Sequence, residues 1–98
     1  MEDKMAQLLI KHKVKDYPAW KKVFDGFIET RKAGGEKSYQ IMHPQNDSND
    51  LLAIFEWDNL ENAKRFVGSS QLKETMGNAG VIGQPEVFFL EEYASGKV

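Results

Sequence analysis

The stretch Lys37–Trp57, KSYQIMHPQNDSNDLLAIFEW, decides the fold. Alternate residues of a strand face opposite ways. Lys37–Pro44 therefore reads as a strand with Tyr39, Ile41 and His43 on one side and Gln40 and Met42 on the other. Asp50–Trp57 reads as a second, more apolar strand, with Leu51, Ala53, Phe55 and Trp57 opposite Leu52, Ile54 and Glu56. The intervening QNDSND is a turn by composition, so the two strands form a hairpin.

Working outward, each strand of the hairpin is flanked by a helical period. Upstream, Tyr17, Trp20, Val23, Phe24, Phe27 and Ile28 recur at steps of three and four, with Lys21, Lys22, Asp25 and Glu29 filling the other side. Asp16 or Tyr17 can cap this helix, Pro18 suits its first turn, and Gly34-Gly35 ends it. Downstream, Asp58 and Glu61 stand at capping-box spacing ahead of Leu60, Ala63, Phe66 and Val67. Gly68-Ser69-Ser70 then interrupts the period and offers a new cap, which makes Gln71–Asn78 a separate short helix. At the two ends lie further strands: Gln7–Val14, QLLIKHKV, and Glu86–Tyr93, EVFFLEEY, the latter after a loop holding Gly83 and Pro85.

The order β-α-β-β-α-β, with right-handed crossovers, is a ferredoxin-like α+β arrangement: a four-stranded antiparallel sheet with the helices on one side. It takes the whole 98-residue chain as one domain, core about 7–93. Both sheet faces carry apolar residues: Leu8 and Ile10 against Leu9, Phe55 against Leu52 and Ile54, Phe89 against Phe88. Helices cover only one face, and an open apolar face of several hundred Å² is unusual on a monomer. A homodimer joined sheet to sheet is the expected cover.

Composition narrows function. Thirteen basic against 15 acidic residues leave a net charge of −2, so no nucleic-acid partner is expected. No cysteine is present, which excludes disulfides, thiolate nucleophiles and cysteine-ligated metal. Two histidines without an H-x-x-x-H or H-x-x-E string make no metal site. GNAGVIGQP precedes a strand and does not follow the dinucleotide-binding order of glycines. The apolar stretch Met5–Ile10, broken by Gln7, falls far short of a signal core or a span of about 20 residues, so the expectation is a cytoplasmic protein with no membrane partner.

The candidate site residues follow from these placements. His12 shares a strand face with Leu8, Ile10 and Val14, and is either a hydrogen-bonded core histidine or a general base in a pocket between sheet and helices. His43, before Pro44 at the turn, reads as an exposed strand-end residue. The aromatics Trp20, Phe24, Phe27, Tyr39, Phe55, Trp57, Phe66 and Phe89 fill a core or line a cavity for a flat aromatic ligand. Tyr17, Tyr39, Trp57 and Asn59 carry polar tips near element ends, where they could hydrogen-bond a ligand hydroxyl or equally serve as a cap or a satisfied phenol. Among Glu56, Glu91 and Glu92, a buried carboxylate base competes with a salt bridge to Lys11 or Lys13.

The runs VKDYPAWKKVFD and FEWDNLENAKRFVGSSQLKETMGNAGVIGQPEVFFLEE resemble the small dimeric α+β barrel proteins grouped with antibiotic biosynthesis monooxygenases. The W-x-x-x-F helix, the E-W strand end, the S-x-x-L-K-x-x-M helix and the P-E-V-x-F-L strand come in the family's order, over roughly Leu8–Tyr93. The resemblance implies a pocket on the helix side of the sheet, but the family's reactions are many. Its haem-degrading members carry a ligating histidine and a tryptophan where this chain has Met76 and Phe66, which speaks against haem. The reading is a cofactor-independent monooxygenase, or related enzyme, acting on an aromatic or polyketide-like substrate. His12 would be the base, and Tyr39, Trp57, Asn59, Trp20 and Phe66 would contact the substrate. The alternative is a non-catalytic dimer that binds a small hydrophobic ligand. Protein hydrogen bonds on His12 would favour that alternative.

Overall fold

In a computed structural model that describes residues 5–98, the chain runs β1 (Ala6–Val14), α1 (Tyr17–Gly26), α2 (Ile28–Gly34), β2 (Glu36–Met42), β3 (Asp50–Trp57), α3 (Leu60–Val67), α4 (Ser70–Asn78), β4 (Val81–Leu90). The strands form one antiparallel sheet in the order β2-β3-β1-β4. The hairpin is the β2–β3 pair, with Tyr39 opposite Phe55 and Ile41 opposite Ala53. Among the described residues, no helix is long and apolar enough to cross a membrane.

Besides β2, which runs Glu36–Met42 rather than Lys37–Pro44, three features differ from the sequence expectation. The first helical segment is two helices, broken at Phe27, whose N–H turns back to the Phe24 carbonyl at 3.2 Å. Gly26, a poor helix residue, immediately precedes the break. Asn59, not Asp58, caps α3: its side chain accepts from the Asn62 N–H at 2.8 Å, while the Asp58 carboxylate accepts from the Asn62 side-chain amide. Asp16 and Ser69 cap α1 and α4.

The third difference lies at β4, which starts at Val81 and ends at Leu90 rather than running Glu86–Tyr93. Val81 and Ile82 pair with Val14 and Lys13, then the register jumps so that Glu86 pairs with Lys11. Gly83-Gln84-Pro85 thus bulges opposite His12. A proline has no N–H for a ladder and is tolerated at a bulge of an edge strand, while Gly83 takes φ 73°. A loop by composition is here an irregular part of the strand.

Alternation works as expected on the central strands. Leu8, Ile10, His12 and Val14 of β1, with Leu51, Ala53, Phe55 and Trp57 of β3, are buried beneath the helices, where Trp20, Phe24, Ala63 and Ala79 complete the core. On the opposite face Leu9, Leu52 and Ile54 are half-buried, and Met42, Phe88 and Leu90 are each more than 40% exposed. Lys11, Lys13 and Glu86 lie at one end of that face.

Candidate active site

α1 and α2 cross the buried face of the sheet, and α4 follows with Leu72 turned inward, leaving a cavity of about 40 Å³ between them. Its wall combines sheet residues Ile10, His12 and Phe55 with Trp20, Phe24, Phe27 and Arg31 from the first helical segment and the break within it. Phe66, Leu72, Thr75, Met76 and Ala79 close the other side. The lining is almost wholly apolar, so each polar group in it stands out.

His12 is 6% exposed, and neither ring nitrogen has a hydrogen-bond partner of acceptable geometry among the described residues. Its ring lies 5.5 Å from that of Trp20, tilted by 47°. Burial holds its pKa below the ordinary histidine value, a shift opposed by the backbone at Ile10 and the charge of Asp50. At neutral pH it is a neutral imidazole with one nitrogen free to take a proton. On β1 it faces Leu51 on one side and the β4 bulge on the other.

The second polar group is Arg31, 1% exposed. Its Nη1 donates to Glu36 Oε2 at 2.9 Å and its Nη2 to the Phe24 carbonyl at 3.2 Å, and its Cζ lies 3.6 Å from the Phe24 ring centroid. Arg31 Nε and Glu36 Oε1 are buried without a partner among the described residues. Burial pushes the Glu36 carboxyl up to about 7, although the adjacent guanidinium pulls it down. Burial likewise lowers the Arg31 pKa, with the charge of Glu36 opposing.

Neither residue stood among the sequence candidates. Arg31 lies four residues after Phe27 and seven after Phe24, on the same helical stripe, so its inward position had a signal. Glu36 had none: the β2–β3 register slips between Glu36 and Ser38, and the slip brings Glu36 opposite Trp57, to the helix side of the sheet. The buried carboxylate is therefore Glu36. Glu56 is half-buried, and Glu91 and Glu92 lie beyond β4 and are exposed.

The structure gathers three of the six candidate residues, His12, Trp20 and Phe66, around the cavity. The other three do not line it. Tyr39 stands edge-on to Phe24, which separates it from the cavity, and is 37% exposed. Trp57 is fully buried beneath Gly34 and against Phe66, with ring centroids 4.8 Å apart, and its indole N–H has no partner among the described residues. Asn59 spends its side-chain oxygen on the α3 cap. His43 is exposed at the hairpin turn. Among the described residues, no three His, Asp or Glu side chains cluster as metal ligands.

No protein-family model matches the sequence, and no curated protein matches it. Solved structures match its fold. A cofactor-independent oxygenase from Streptomyces nogalater superposes with a TM-score of 0.75 at 10% identity, over 93% of this chain and 95% of its own. A protein from Caulobacter crescentus, described as a candidate antibiotic biosynthesis monooxygenase, gives 0.71 at 17% identity over 94% and 92%. A conserved protein from Methanosarcina mazei Go1 gives 0.70 at 15% identity over 90% and 92%. The ferredoxin-like fold of antibiotic biosynthesis monooxygenase-like proteins is thus the fold of this chain. At such identities the likeness is one of fold.

Proposed function

We propose that the protein is a cofactor-independent monooxygenase whose substrate is a hydroxylated aromatic or polyketide-like molecule, bound in the cavity beneath the helices. The observation that carries the reading is His12: a buried, neutral imidazole in the cavity wall whose nitrogens have no hydrogen-bond partner of acceptable geometry among the described residues, with the Ile10 backbone close enough to act on it. A structural histidine ordinarily has its nitrogens satisfied, whereas a base needs one free.

In this reading His12 takes a proton from the bound substrate, leaving a phenolate or stabilised carbanion. The anion passes one electron to O₂, and the substrate radical and superoxide then join in a C–O bond. The imidazolium returns its proton to the peroxide, and loss of water leaves a carbonyl. In sum a ring CH₂ and O₂ become C=O and H₂O, with all four electrons drawn from the substrate. The protein supplies the base, orientation and an apolar enclosure. A cavity of about 40 Å³ holds about one or two waters. A ring therefore enters only as lining side chains move, and Met76, unbranched and half-buried, is the most adaptable of them. The same reading takes the protein as a homodimer joined through its open sheet face.

The test is oxygen uptake with a panel of hydroquinones, anthrones and smaller phenols, with no flavin, haem or metal added. His12→Ala is expected to lower turnover by about 10²- to 10⁴-fold while the protein stays folded. A second reading, a non-catalytic binder of a small apolar molecule, draws on how few polar groups reach the cavity. It prevails if no substrate in the panel is consumed, or if His12→Ala lowers thermal stability and leaves the rate unchanged.

A further inference from the structure

We propose that Arg31 is the anion-binding residue of the cavity, and that it selects a phenol or enol by holding the ionised oxygen at its free guanidinium N–H. The inference rests on reading the cavity as the substrate site, and it adds the residue that holds the charge of the ionised substrate.

The geometry treats the three nitrogens of Arg31 unequally. Nη1 is held by Glu36 and Nη2 by the Phe24 carbonyl, while the Phe24 ring packs against the guanidinium carbon at 3.6 Å. These contacts fix the plane of the group and leave Nε–H, a buried charged donor, without an acceptor among the described residues. A buried unsatisfied donor is costly, and the cost is recovered when a ligand supplies the oxygen. Among the residues lining the cavity no carboxylate competes with such a ligand.

His12 and Arg31 lie in the same wall with complementary roles. The imidazole can receive the proton that the ligand loses, and the guanidinium can hold the charge left behind. Glu36 limits the attraction, since its carboxylate already offsets part of the Arg31 charge. It binds Arg31 through Oε2 alone, however, and its raised pKa lets it take a proton near neutrality. Removing its charge should therefore strengthen an anion at Arg31. A purely structural ion pair predicts no such gain.

The probes are 4-nitrophenol, whose yellow phenolate reports its own ionisation, and 4-nitroanisole, of similar shape but unable to ionise. Affinities are measured at pH 8 without any turnover. The unmodified protein should bind the phenolate roughly tenfold more tightly than the anisole, about the worth of one charge-assisted hydrogen bond, and should lower the pKa of the bound phenol. Arg31→Met should abolish that preference, Arg31→Lys should keep part of it, and Glu36→Gln should increase it. Arg31→Met leaves Glu36 buried without its partner and risks misfolding, but Glu36→Gln and Arg31→Lys keep the test decisive. The inference is overturned if the unmodified protein binds neither probe, if it shows no preference for phenolate, or if Glu36→Gln leaves the preference unchanged. Oxygen uptake that depends on His12, alongside no phenolate preference, would remove the role of Arg31 and leave the oxygenase reading standing.

Discussion

The raised pKa of Glu36 makes stability depend on pH in a direction opposite to that of most carboxylates, and Glu36→Gln isolates the effect. In the unfolded chain this group loses its proton near 4.5, whereas in the folded protein it holds the proton up to about 7. Between those values the folded state binds more protons than the unfolded state, so raising the pH favours unfolding. The gap of about 2.5 units, at about 1.4 kcal/mol per unit, sets a ceiling of about 3 kcal/mol lost across the window. His12 acts the other way. Its folded pKa lies below 6.5, so the unfolded chain takes up the proton first, and stability falls as the pH drops below 6.5.

Urea unfolding of the unmodified protein and of Glu36→Gln at several pH values from 4.5 to 8 separates the two contributions. An amide oxygen can still accept from Arg31 Nη1, so the variant is expected to fold, with an offset in stability that is not itself diagnostic. What matters is the difference curve: relative to the unmodified protein, Glu36→Gln should gain stability progressively from pH 4.5 to 7, then level off. The remaining dependence on pH below 6.5 should vanish in a Glu36→Gln/His12→Gln double variant. Parallel curves for the unmodified protein and Glu36→Gln would refute the argument, because they would mean that burial does not raise the Glu36 carboxyl.

Further outcomes follow from other parts of the fold. The open face of Leu9, Leu52, Ile54, Phe88 and Leu90 should hold a second copy, so sedimentation should give a dimer, and Leu52→Lys should give monomer or aggregate; a stable unmodified monomer would sink that expectation. Gly35 has φ 123°, and a Cβ there would run into the Asp58 carboxylate, so Gly35→Ala should cost about 1–3 kcal/mol in urea unfolding, whereas Gly26→Ala, which meets no atom, should stabilise by about 0.5–1 kcal/mol. With Met76 in place of a ligating histidine, hemin should give no Soret band typical of histidine ligation; tight stoichiometric binding lost in Met76→Ala would contradict this.

The parts of the fold that were legible in the sequence are those where one period holds without interruption. Asp50–Trp57 alternates over its whole length, and every residue falls on the face that parity assigns it. What escaped the reading lies at three interruptions. Gly26-Phe27 splits a helix whose apolar stripe continues across the break, and Arg31 rides that stripe inward. The register slip after Glu36 reverses parity for one residue and buries a carboxylate that simple alternation assigns to the open face. Gly83 and Pro85 mark a bulge opposite His12, where composition alone suggests a loop.

Convergence at the site was harder to read than the elements, because nearness to a strand or helix end does not determine which way a side chain points. Trp57 and Asn59 sit at such ends and Tyr39 at the middle of β2, yet each is engaged elsewhere: by the core beneath α2, by the α3 cap, and by Phe24. His12 and Arg31 were set apart instead by chemistry at odds with their surroundings, a base and a cation within an apolar stripe. Local rules are most often broken where function requires it. Here the broken period, the buried charge and the buried imidazole meet at one cavity. A core built for stability alone would gain by replacing His12 with Leu, or Arg31 and Glu36 together with apolar residues of similar volume. His12→Leu, and the paired Arg31→Met/Glu36→Leu, should each raise stability and lower oxygen uptake together, and a variant that gains stability while keeping its full activity would remove the replaced residues from the chemistry.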